Sequence, residues 1–95
     1  MNDDTTSIPP DARPRLPRGV RLVQNEIHGW TLLGPERVIK ADPVAVEIIK
    51  RCTGHATFTE IVDDLAAAFS APRDRISTDV TAMLRGLADK RLLEL

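Results

Sequence analysis

An α+β fold, with a three-stranded antiparallel sheet followed by three helices in a winged-helix-like outline, is what this 95-residue sequence predicts. Three observations carry that expectation. Short β-branched runs separated by turn formers fill residues 20–40. Helical periodicities begin at Asp42 and continue almost to the last residue. Three small strands also need a covering layer before one face can be buried, and the helices supply it.

The elements follow in order. Pro9, Pro10, Pro14 and Pro17 crowd the first 17 residues. Proline lacks an amide donor and fixes φ, so this stretch neither enters a sheet centre nor continues a helix. Residues 1 to about 15 are therefore read as a flexible, proline-rich arm, and residues 16–95 as the domain. Val20-Arg21-Leu22-Val23 is the first strand, Trp30-Thr31-Leu32-Leu33 the second and Arg37-Val38-Ile39-Lys40 the third. Asn25 to Gly29 and Gly34-Pro35-Glu36 provide the turns between them.

Asp42-Pro43 starts the first helix, since aspartate caps free amides and proline is preorganised at the first helical position. Val44, Ala45, Ile48, Ile49 and Cys52 are read as its apolar stripe, with Gly54 as the stop. Thr57 and Glu60 fit a capping box for a second helix. Behind it Phe58, Ile61, Val62, Leu65, Ala66 and Phe69 recur at helical spacing. Pro72 opens the third helix, with Ile76, Val80, Met83, Leu84 and Leu87 on one face. Leu92, Leu93 and Leu95 close the core.

Composition narrows function. Thirteen basic and 14 acidic side chains leave a formal charge of −1, so nothing pulls the whole chain toward nucleic acid or anionic lipid. Aromatics are 3% of the residues, too few for base-stacking platforms. A single cysteine forbids an internal disulfide and fits a reducing compartment. No apolar run approaches the roughly 20 residues that span a bilayer. The acidic, polar first residues are unlike a targeting peptide, so a cytoplasmic binding module with no membrane contact is expected.

Chemistry is sparse. Cys52 and His55 have a C-x-x-H spacing, but a structural zinc site needs about four ligands and no second pair exists. Asp63 and Asp64 are adjacent on a helix, about 100° apart, and form no dyad. No nucleophile, base and orienting group are assembled, and no cofactor loop follows a strand, so neither an enzyme nor a cofactor is expected. The winged-helix outline keeps a nucleic-acid binder as the alternative. On the third helix, however, Arg73, Arg75, Arg85 and Lys90 are offset by Asp74, Asp79 and Asp89. The most basic stretch, Arg13-Arg15-Arg18-Arg21, is read as a solvated arm.

What remains is recognition of another chain. An open three-stranded sheet leaves unpaired edges, and such an edge accepts an added strand. The third strand and the helix residues Val80 and Met83 are the expected groove walls. The same free edge admits a second copy of the chain, so a homodimer is also plausible on this reasoning.

Several segments together resemble the PqqD family of pyrroloquinoline quinone (PQQ) biosynthesis. They are Leu16-Pro17-Arg18-Gly19-Val20-Arg21-Leu22, Leu32-Leu33-Gly34-Pro35-Glu36 and Ala45-Val46-Glu47-Ile48-Ile49. Thr59-Glu60-Ile61-Val62, Asp79-Val80 and the closing Leu84, Leu87, Leu92 and Leu93 continue the pattern. The resemblance spans about residues 16 to 95. It implies a peptide chaperone, a prototype of the RiPP recognition elements. Such a protein binds a ribosomally made precursor peptide and presents it to a radical SAM enzyme. It also implies that the peptide adds beside the third strand, at Arg37, Val38, Ile39, Lys40 and Ala41. Against the helix it would meet Ile76, Asp79, Val80 and Met83. The protein itself would carry no cofactor.

Overall fold

The computed structural model describes residues 8–95. Strands β1 (Arg21–Asn25), β2 (Gly29–Leu33) and β3 (Val38–Lys40) precede helices α1 (Pro43–Lys50), α2 (Phe58–Phe69) and α3 (Arg73–Asp89). The sheet is an antiparallel meander in the order β1-β2-β3. This is the architecture expected from the sequence.

Cross-strand register decides which side chains share a face. Leu22, Leu32 and Ile39 are aligned and point toward the helices, with Leu32 fully buried. The rows Arg21–Leu33–Val38 and Val23–Thr31–Lys40 therefore occupy the opposite, outer face. The first hairpin is closed by Asn25, whose side-chain oxygen accepts from the amides of Ile27 (2.7 Å) and His28 (3.1 Å). Gly34 is required by close approach: a Cβ there would lie 2.5 Å from a Leu92 methyl carbon.

Asp42 caps α1 by accepting from the Ala45 amide at 2.8 Å. The buried face of α1 differs from the expected one. Val46, Ile48 and Ile49 are buried, followed by Cys52, whereas Val44 is half in solvent. Five of the six residues from Val44 to Ile49 are apolar, so periodicity alone could not choose the stripe. The capping box of α2 forms in full, with Glu60 N donating to Thr57 Oγ1 (3.1 Å) and Thr57 N donating to Glu60 Oε1 (2.8 Å). Phe58, Ile61, Val62 and Leu65 are buried. Phe69 is exposed, because α2 stops there and Ser70 turns left-handed. Pro72 lies just outside α3, whose Val80, Leu84 and Leu87 complete the core with Leu92 and Leu93.

The expected proline-rich arm covers residues 1 to about 15. Its first seven residues lie outside the described ones. From Ile8 to Arg15 the chain is strapped across the helices. Ile8 and Pro14 are buried. The carbonyls of Pro10, Ala12 and Pro14 accept from the amides of Thr59 (3.1 Å), Phe58 (2.7 Å) and Gly54 (2.9 Å). Arg15 exchanges two backbone bonds of 2.9 Å with Glu94 and adds a 2.8 Å ion pair. Arg13 donates to the His55 carbonyl. Proline removes donors but keeps its carbonyl, so the strap binds as an acceptor of other segments' amides. Arg13 and Arg15 are thus fastened to the domain rather than solvated in an arm.

Candidate functional site

The edge of the sheet at β3 has unspent backbone bonding. Gly34 N donates to the Arg37 carbonyl (2.9 Å) and Ala41 N donates to the Trp30 carbonyl (3.0 Å). Those two bonds fix the parity of the ladder. Residues 37, 39 and 41 turn their amides and carbonyls toward β2, so those of Val38 and Lys40 point away from the sheet. Among the described residues no strand lies beyond β3. Two amides and two carbonyls therefore stand open on one short edge.

The side chains alternate with the backbone. Ile39 and Ala41 face inward and pack on the margin of the core, as do Ile76 and Met83 of α3. The strand side and the helix side of the expected site thus each border the same apolar core. Val38 is 72% exposed, and with Lys40 it borders a depression of about 440 Å³ on the outer sheet face. Val23, Thr31 and Leu33 line the same depression. Asp79 is exposed. Val80, expected as a groove wall, is 1% exposed and belongs to the core, so it supports α3 from beneath. Its place between Ile76 and Leu84 at helical spacing puts it on the buried side of the stripe.

Two features went unread in the sequence. One is the apolar outer face of the sheet, whose only signal was Val23, Leu33 and Val38 at alternate strand positions. The other is a depression of about 260 Å³ where β3 begins and α3 ends. It is lined by Pro35, Glu36, Arg37, Lys90, Arg91 and Leu92. These residues are more than fifty positions apart, and no local pattern joins them.

Elsewhere the reactive groups are committed. Cys52 donates its thiol to the Ile48 carbonyl (3.3 Å), and burial pushes its pKa up to about 12. Arg51 ties α1 to α2 by pairing with both Glu47 (2.9 Å) and Asp64, and these carboxylates hold its guanidinium in the charged form. Among the described residues no three His, Cys, Asp or Glu side chains gather as a metal site, and no helix is long and apolar enough to cross a membrane.

An open edge strand on a frame of three strands and three helices, with no metal cluster among the described residues, is the geometry of a recognition domain. The chain belongs to the PqqD family. The family model described as coenzyme PQQ synthesis protein D matches residues 29–93. A Bradyrhizobium diazoefficiens protein named PqqA binding protein is 44% identical over 88 residues, covering 92% of this chain and 85% of that one. Among solved structures, the PqqD portion of Methylobacterium extorquens PqqCD is described as a functional, stand-alone RiPP recognition element. It superposes with a TM-score of 0.81 at 38% identity, covering 98% of this chain and all of the other. PqqD from Xanthomonas campestris gives a TM-score of 0.60 at 39% identity, covering 94% of this chain and all of the other.

Proposed function

We propose that this protein is a peptide chaperone of PQQ biosynthesis. It binds the ribosomally made precursor peptide along the free edge of β3, against α3, and presents it to a radical SAM enzyme of the same pathway. The observation that carries this reading is the outward backbone of Val38 and Lys40, which offers a peptide two donors and two acceptors without disturbing the sheet. Relatives named PqqA binding protein support it. Arg37 to Ala41 form the strand side, and Ile76, Asp79 and Met83 form the helix side over Val80.

Backbone pairing gives affinity, while Ile39, Ala41, Ile76 and Met83 offer aliphatic contact for alternate side chains of the bound strand. Met83 suits this role because its unbranched thioether adapts to different shapes. The nucleic-acid alternative loses one of its cations, since Arg73 is paired with Asp63, and Asp74, Asp79 and Asp89 stand among the rest. A second copy of the chain would compete for the same edge.

Titration of the labelled protein with the precursor peptide of its organism tests the reading. Saturable binding is expected, with amide shifts centred on residues 37–41 and on the Ile76–Met83 stripe. Absence of binding, with or without the radical SAM enzyme, would refute it.

A further inference from the structure

We infer that the basic depression between the start of β3 and the end of α3 is a carboxylate anchor that sets the register of the bound peptide. It rests on the reading of the β3 edge as the peptide site. Three cations, Arg37, Lys90 and Arg91, surround about 260 Å³ together with one carboxylate, Glu36. Among the described residues none of the three cations is in an ion pair. Arg15, Lys50, Arg51 and Arg73 are each paired with a carboxylate, while the other unpaired cations are not gathered three to a depression. The positive charge at this corner is thus uncommitted.

Its place in the fold gives that charge a use. Arg37 directly precedes Val38, the first residue with an outward backbone, so a strand paired with Val38 and Lys40 ends beside the depression. Lys90 continues the Ile76, Met83 and Leu87 stripe beyond the last turn of α3. Asp79 lies at the other end of that stripe, eleven residues or about 16 Å back along the helix. The depression gathers three cations at the Arg37 end, whereas the other end carries Asp79 with the single cations Lys40 and Arg75, so positive charge is densest at the Arg37 end. That uneven charge favours one direction and one alignment of an added strand carrying a carboxylate at its matching end.

Arg91 supplies an independent sign. It adopts φ 62, and α3 is closed around it by Arg91 N donating to the Ala88 carbonyl and Leu92 N to the Leu87 carbonyl, both 2.9 Å. Glycine fills this left-handed closing position at least cost, and arginine adds backbone strain there. Cations at a helix C-terminus do offset its dipole. That effect explains Lys90, but neither Arg37 on the facing strand nor the strain at residue 91. A carboxylate bound between the three accounts for both, because guanidinium groups bond carboxylates with two parallel donors.

The bound carboxylate is either an Asp or Glu side chain of the peptide or its terminal carboxylate, and the test separates them. The full chain and its Arg91→Gly, Lys90→Gln and Val38→Pro variants are titrated with the synthetic precursor peptide. Arg91→Gly is the informative variant, because glycine relieves the strain and its melting temperature is expected to hold or rise. We expect its affinity to fall at least fivefold, that of Lys90→Gln to fall severalfold, and both differences to shrink at high salt. Peptides with single Asp→Asn or Glu→Gln changes, or with an amidated C-terminus, identify the partner. One of them should lose the same factor on the wild-type chain and lose nothing more on Arg91→Gly. Binding that is sensitive to Val38→Pro but indifferent to both Arg91→Gly and Lys90→Gln overturns the anchor alone. A wild-type chain that does not bind the peptide overturns the edge reading and the anchor together.

Discussion

Two extended segments of this domain treat their backbones in opposite ways. The strap, residues 8–15, contains three prolines, and its carbonyls at Pro10, Ala12 and Pro14 are taken up by amides of the α1–α2 loop and α2. Strand β3 contains no proline and leaves the amides and carbonyls of Val38 and Lys40 open on its outer edge. The strap is a closed contact: it has few donors to offer a newcomer, and its apolar groups, Ile8 and Pro14, are already buried. The edge is an open one. Proline placement decides which extended segment belongs to the fold and which remains available.

Substitutions at neighbouring positions test that contrast. The largest effect is expected from Ile39→Pro. Its amide faces β2 and its side chain packs on the core, so the change removes a ladder bond and apolar contact together. A loss of about 3 kcal/mol or more in urea unfolding is expected. Val38→Pro, one residue away, removes an amide that points off the sheet. Unfolding should shift by less than about 1 kcal/mol, while peptide affinity falls about tenfold or more, equivalent to about 1.4 kcal/mol. Equal losses of stability at the two positions would show that the edge is not free.

On the strap side, Ile8→Ala should destabilise by about 2–3 kcal/mol and leave peptide affinity unchanged once the chain is folded. A freely moving arm would give no change in unfolding. The α2 cap to which the strap connects gives a smaller effect. Thr57→Ala should cost about 1 kcal/mol. The hydrogen bonds from Thr57 hold the Glu60 carboxyl below its ordinary value of 4.5. Because that pKa is depressed by folding, the contribution is complete above about pH 4.5 and fades as pH falls through the folded value. Acid unfolding of wild type and Glu60→Gln should therefore converge at low pH. The smallest effect is chemical: Cys52, raised to about 12 by burial, should resist a thiol reagent at pH 8 until the chain is unfolded.

Much of the fold was legible because its signals are local. Asp42-Pro43, the Thr57–Glu60 capping box and the stripe from Phe58 to Leu65 each specify an element without knowledge of the rest. That the sheet has open edges was legible from strand count, and the short third strand running directly into Asp42 pointed to β3. The strap was not legible, since prolines announce only what a segment does not form, and its partners lie forty or more residues away. Val44 and Val46 could not be ranked because the sequence around them is apolar on two overlapping faces. Val80 was placed in the groove rather than the core for a related reason. Periodicity identifies a stripe, and only packing shows which side of it is covered. The basic corner was unreadable because it joins residues 35–37 to residues 90–92.

The central claim is that the outward backbone of β3 is where the peptide binds. Amide hydrogen exchange of the full chain, with and without the precursor peptide, addresses it directly. The amides of Val38 and Lys40 should exchange freely alone and become protected at saturation, while Phe58 and Arg15, already bonded, change little. Protection that appears elsewhere while Val38 and Lys40 continue to exchange freely would contradict the account.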